Sequence, residues 1–154
     1  MIRDRHLSHA AIVAAVGLIA VMGAVRCRAG SAHVEPRITD AVLGEDRDEK
    51  ADGYEIVRKT TVFHPDAEKI VCVFKVEGAS LGTSVRGVWI AEDVGEVAPP
   101  NYKIAEKTLV LPYMNSGSLL LTRPNTGWPV GSYRLEIYFG AALAKTLKFT
   151  VTAG

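Results

Sequence analysis

Apolar and polar positions alternate with period two along most of the chain, the spacing of a half-buried strand. Lys69–Glu77 sets Ile70, Cys72, Phe74 and Val76 on one face, with Val71 and Val73 on the other. Ser84–Asp93 sets Val85, Gly87 and Trp89 together. Tyr133, Leu135, Ile137 and Phe139 share a face opposite Arg134, Glu136 and Tyr138. After Gly140-Ala141, Leu147, Phe149 and Val151 alternate with Lys148 and Thr150. Ile104–Tyr113 and Ser118–Arg123 add two strands around Asn115-Ser116-Gly117. Arg37–Gly44 alternates weakly, and Tyr54–Phe63 reads as extended until His64-Pro65-Asp66, where proline removes a ladder donor. The charged run Glu45–Gly53, together with Gly78–Thr83, Val94–Tyr102 and Pro124–Gly131, predicts loops or turns, with a short helical turn near Pro99–Ala105. Seven or eight short strands at this spacing predict an all-β sandwich of immunoglobulin-like type.

The first 32 residues have another character. Arg3 and Arg5 precede an uncharged apolar run from Ala10 to Val25, followed by Ala29, Gly30, Ser31 and Ala32. Basic flank, apolar run and small-residue site are the parts of a secretory signal. The run is short for a bilayer span, which needs roughly 20 residues. Cleavage near Ala32 is the first reading. Arg26 and Arg28, directly after the run, keep a second reading open: an uncleaved N-terminal anchor. Lipidation at Cys27 is a third, opposed by Arg26 where a small residue is wanted. The segments are thus 1–32, signal or anchor, and 33–154, the sandwich. All three readings place that sandwich outside the cytoplasm, in the periplasm, cell envelope or medium.

Composition narrows the function classes. The 154 residues are 48% hydrophobic and 23% charged, as in an ordinary folded domain. The net charge of +1 becomes −2 once residues 1–32 are set aside, leaving 14 basic and 16 acidic residues. Such a balance argues against nucleic acid as a partner. A membrane is met only through the N-terminal segment.

The element Gly127-Trp128-Pro129-Val130-Gly131-Ser132-Tyr133-Arg134, leading to Ile137-Tyr138, carries a resemblance. With Gly82-Thr83-Ser84-Val85, Trp89 and Phe149-Thr150-Val151 it resembles bacterial secreted and lipoprotein domains of immunoglobulin-like or fibronectin-like fold. The resemblance runs from about Ile38 to the C-terminus. It implies a fold and an extracytoplasmic setting, and no chemistry. In that frame Trp89 stands where an immunoglobulin strand C carries its core tryptophan. Tyr133 stands where a tyrosine corner pins a strand crossover through its hydroxyl. Gly131, two residues earlier, supplies a backbone conformation that other residues avoid. Cys72 falls on the strand bearing the first cysteine of antibody domains, but the second position is Leu135, so the inter-sheet disulfide is absent. Cys72 then reads as a small buried hydrophobe, or as a lone reactive thiol.

No constellation of residues carries catalysis or a cofactor. The acids Glu45, Asp46, Asp48, Glu49 and Asp52 lack the spacing of a calcium loop, and Arg47 and Lys50 dilute them. His64 is the one histidine after His33, too few for a zinc site. Nucleophile-elbow and phosphate-loop motifs are absent. The candidate ligand or partner surface is aromatic: Trp128, Tyr102 and Tyr113, in turns or near strand ends. Trp128 is either an exposed platform for a sugar or a protein, or a lid folded over the end of the sandwich. The expected function is a non-enzymatic module that binds an envelope protein or plays a structural part there. The alternatives are a carbohydrate-binding module, with a glycan as partner, and a small hydrolase.

Overall fold

A computed structural model describes residues 34–113 and 115–154. The segment read as signal or anchor, with Cys27, lies outside the described residues. Among these residues there is no α-helix, hence none long and apolar enough to cross a membrane.

Among the described residues nine strands form two sheets: β1 (Arg37–Lys50), β2 (Gly53–Lys59), β3 (Val62–Phe63), β4 (Lys69–Glu77), β5 (Ser84–Asp93), β6 (Tyr102–Val110), β7 (Ser116–Thr122), β8 (Gly131–Phe139) and β9 (Ala142–Val151). One sheet has the order β2-β1-β4-β7 and the other β3-β9-β8-β5-β6. Neighbours are antiparallel except β3, which joins β9 in parallel. The chain thus changes sheets between β2 and β3.

The inner faces are those the alternation marks. Ile70, Cys72, Phe74 and Val76 of β4 meet Val85 and Trp89 of β5 and Leu135 and Ile137 of β8 in one buried core. Phe149 is the hub of its aromatic part. It stacks on Tyr133 at 5.2 Å between ring centres and meets Phe63 and Trp89 edge-on at 5.6 and 5.9 Å. Such geometries suit the ring quadrupoles and add to the apolar burial.

The strand count departs from the expected seven or eight because the extended stretch Tyr54–Phe63 breaks into β2 and β3, which lie in different sheets, and the charged run departs from its expected loop. Glu45–Lys50 is not a loop; it continues β1 and forms a hairpin with β2, turning at Ala51-Asp52. Its acids are held by neighbours: Glu45 by Arg58 at 2.7 Å, Asp46 by Lys69 at 2.6 Å, and Glu49 by the Tyr113 hydroxyl at 2.8 Å. The hairpin does not extend the sheet in plane. Ser116 lies opposite Lys75, and Lys75 opposite Asp40, yet Tyr54 at the hairpin tip donates its N–H to Ser116 Oγ. The tip has therefore folded back across the outer face of the sheet. The bend falls at Gly44, which pairs with Lys59 and Val71 at once, and at Arg58, whose φ of 53° is unusual for a residue with a side chain. A Cβ on Gly44 would lie 2.5 Å from Ile56 Cγ2 and 2.7 Å from Arg58 O.

Burial leaves a mark on titration. It pushes the Cys72 thiol from its ordinary 9.0 up to about 12 and the Tyr133 hydroxyl from 10.0 up to about 12. The fold keeps protons that the unfolded chain releases. This contribution is complete below pH 9.0 and is lost as pH rises toward about 12. Urea midpoints taken from about pH 8 to about pH 11 should fall, and Cys72→Ala should flatten the first part of that fall. An equally steep fall in the variant would separate the thiol from the effect.

Candidate functional site

Two connections meet at one end of the sandwich. The first, Val94–Asn101, joins β5 to β6 through a single 3-10 turn at Gly95–Val97, not at the expected Pro99–Ala105. Gly95 N–H donates to Asp93 Oδ1 at 3.0 Å, and Val97 N–H donates to Val94 O. Asn101 closes the connection at φ 59°, a left-handed conformation that asparagine tolerates. Its N–H returns to Glu92 O at 3.0 Å, and Tyr102 follows as the first residue of β6.

The second connection, Arg123–Val130, joins β7 to β8 and therefore crosses from one sheet to the other. Trp128 fastens it. Its backbone N–H donates to Pro65 O at 2.9 Å and its indole Nε1–H to Ala67 O at 2.7 Å. The Tyr133 hydroxyl donates to Pro129 O, four residues upstream, which is tyrosine-corner geometry. Gly131 between them has no room for a side chain. A Cβ there would lie 2.2 Å from Asp93 O.

Between the two connections lies an apolar cleft of about 340 Å³. Val94, Val97 and Pro99 form one wall, and Pro124, Trp128 and Pro129 form the other. Tyr102 and Ile104 bound it from β6, and Ala91 and Tyr133 lie deepest, at 3% and 1% exposure. At the rim, Val97 is 69% and Tyr102 52% exposed. Among the described residues two tyrosines are the only titratable groups in this lining, and the Tyr133 hydroxyl is already committed to Pro129. The cleft offers shape and apolar surface; it carries no acid–base pair.

Of the three aromatic candidates, Trp128 and Tyr102 share this cleft, and Tyr113 lies elsewhere. Tyr113 sits edge-on to Tyr54 at 5.5 Å and clasps Glu49 of the folded-back hairpin. Trp128 is not an exposed platform. At 3% exposure it takes the other place open to it, as the lid of the sandwich, because its indole N–H finds a backbone acceptor there. Carbohydrate stacking on Trp128 loses its basis. Trp89 and Cys72 are core residues. His64 lies exposed beside Asp66 at 3.5 Å, on the connection between β3 and β4, and lines no part of the cleft. A larger groove of about 540 Å³ lies beneath the hairpin, but Asp40, Asp52, Lys50 and Lys75 give it mixed charge and no apolar focus. Among the described residues no three acidic, histidine or cysteine side chains gather as a metal site would require.

Sequence reasoning named Trp128 and Tyr102 but missed Val94, Val97, Pro99 and Pro124. The two proline-rich connections were the visible signal. Their meeting at one end depends on the sheet order.

No known protein family and no curated protein matches the chain. Among solved structures, an immunoglobulin-like protein from Pseudomonas aeruginosa is similar over 79% of this chain and 99% of its own, at 18% identity and a TM-score of 0.52. The chain has an immunoglobulin-like fold. Two larger proteins align less well. The alkylpurine DNA glycosylase AlkC of Pseudomonas fluorescens has a TM-score of 0.43 at 11% identity, and the chain spans 31% of its length. A family GH3 β-glucosidase of Bifidobacterium adolescentis has a TM-score of 0.41 at 11% identity, with 17% of its length spanned.

The crossover depends on a close approach and a hydroxyl bond. Gly131→Ala should cost about 2–3 kcal/mol, because backbone must move to admit the methyl group. Tyr133→Phe should cost about 1–2 kcal/mol, because it leaves the Pro129 carbonyl without its donor. Both losses are read from urea unfolding at neutral pH. A neutral result for Gly131→Ala would mean the contact with Asp93 is not as tight as described.

Proposed function

We propose that this chain is an extracytoplasmic, non-enzymatic module that binds a protein of the cell envelope through the apolar cleft. The observation that carries the reading is the cleft itself. Solvent-facing Val97 and Tyr102 stand at its mouth over a buried floor, and apolar surface of this kind marks interaction sites. An aliphatic or proline side chain of a partner fits such a lining, with Tyr102 as the aromatic at the rim.

The setting outside the cytoplasm rests on residues 1–32, where basic flank, apolar run and small residues follow one another. The way the chain enters the sandwich is compatible with either a cut signal or a retained anchor. Val34 packs against Gly78 at the end of β4, the pole away from the cleft. Chain entry and partner surface thus lie at opposite poles.

Affinity capture from envelope extracts should recover a partner with the wild-type chain. Val97→Asp should weaken that capture on the order of tenfold or more, since a charge at the mouth must be desolvated on binding. Val97 is largely exposed, so this substitution should leave the unfolding midpoint unchanged. Equal recovery by both chains would remove the cleft from the reading. The mass of the chain taken from cell fractions tests the setting. A chain starting near residue 33 outside the cytoplasm fits the cut signal, and one starting at residue 1 in the membrane fits the anchor. A soluble cytoplasmic chain would sink the extracytoplasmic reading.

A further inference from the structure

We infer that the outer edge of β9, between Ala142 and Lys148, accepts an extended acidic segment of a protein partner as an added strand. β9 bonds to β8 along its length, but on its other side β3 reaches only Thr150 and Val151. Among the described residues no strand pairs with the remainder of that side. The alternation of the ladder gives the direction of the open groups. Thr150 N–H donates outward to Thr61 O and Thr152 N–H to Phe63 O. Lys148 and Thr146, two and four residues earlier, turn their N–H and C=O the same way. Neither has a backbone partner on that side among the described residues. β3 already shows how a strand adds there, and a partner strand would continue its line.

Charge selects the occupant. An open groove of about 500 Å³ runs beside this edge, walled by Ala41 and Leu43 of β1 and by Lys59, Lys145 and Lys148, and among the described residues no acid lines it. Lys148 reaches Glu92 at 3.3 Å. Lys59 and Lys145 take part in no ion pair among the described residues. The edge at β6 differs, since Glu106 there is bound by both Lys103 and Arg86. Lysines on an open edge repel a second copy of the same edge. The same lysines favour a strand that brings carboxylates, so one feature excludes self-pairing and admits an acidic partner. Main-chain bonds supply the adhesion and the lysines the selectivity.

The probe is a synthetic peptide of alternating threonine and glutamate, titrated into the isotope-labelled full chain and followed by amide resonances and hydrogen exchange. Two control peptides carry lysine for glutamate, or methylated backbone nitrogens at alternate residues. The Thr146 and Lys148 amides should shift, and their exchange should slow on the order of tenfold. Both controls should fail to bind. Lys59→Glu with Lys145→Glu should weaken the acidic peptide on the order of tenfold, whereas Val97→Asp should leave it unchanged. That separates this edge from the cleft. If the double variant does not fold, the methylated peptide tests the wild-type chain. Equal binding of the lysine peptide, or shifts confined to other amides, would overturn the inference. So would protection of the same amides that grows with protein concentration alone, which would assign the edge to a second copy.

Discussion

Two hydrogen bonds from Trp128, to the carbonyls of Pro65 and Ala67, tie the crossover between the sheets to the connection that opens β4. Much of one pole hangs on them. They place Pro129 where Tyr133 can donate to it, and Tyr133 in turn lies flat on Phe149, the hub of the aromatic core. Gly131 lets the chain pass against Asp93 with no side chain between. Buried polar groups are costly unless paired, so an indole N–H at 3% exposure needs its acceptor. The lid and the cleft beside it are therefore one construction, with Trp128 serving as wall for the second because it is the seal for the first.

The opposite sheet solves a different problem. Its outer face would be left open by a simple sandwich, and the hairpin β1–β2 folds back over part of it. Glu45, Asp46 and Glu49 of β1 are each met by a cation or a hydroxyl from another element, so a run that looks like solvated loop becomes strand. The bend is made by Gly44 on one strand and Arg58 at positive φ on the other. The five-stranded sheet carries its own polar face. There Arg134 bridges Glu136 at 2.8 Å and Glu92 at 3.3 Å, and Glu136 is held below the usual carboxylate range by the Tyr138 hydroxyl and then Arg134.

Both proposed surfaces follow from where these solutions stop. The cleft exists because two loops meet over a floor already sealed. The β9 edge exists because β3 is only two residues long. Each is a place where packing or pairing is left incomplete, and each is different in character: one apolar and shaped, the other a row of backbone groups guarded by lysines.

Much of the fold was legible because period-two alternation reports directly on a two-faced sheet. The bounds of β4 and β5, and the inward faces of β8 and β9, could be read residue by residue. The sandwich was within reach for the same reason, while the tyrosine at the crossover and the unpaired Cys72 were read from the resemblance to immunoglobulin-like domains. The charged half of the hairpin was not within reach, although Asp52-Gly53 is a hairpin turn signal, because its acids are held by side chains of β2, β4 and Tyr113, and alternation of apolar side chains does not record those. Trp128 shows the limit most plainly. Local sequence allows it to face solvent or core, and the choice turns on whether a backbone carbonyl waits for its N–H. That carbonyl belongs to Ala67, sixty-one residues away, and only the tertiary structure brings it there.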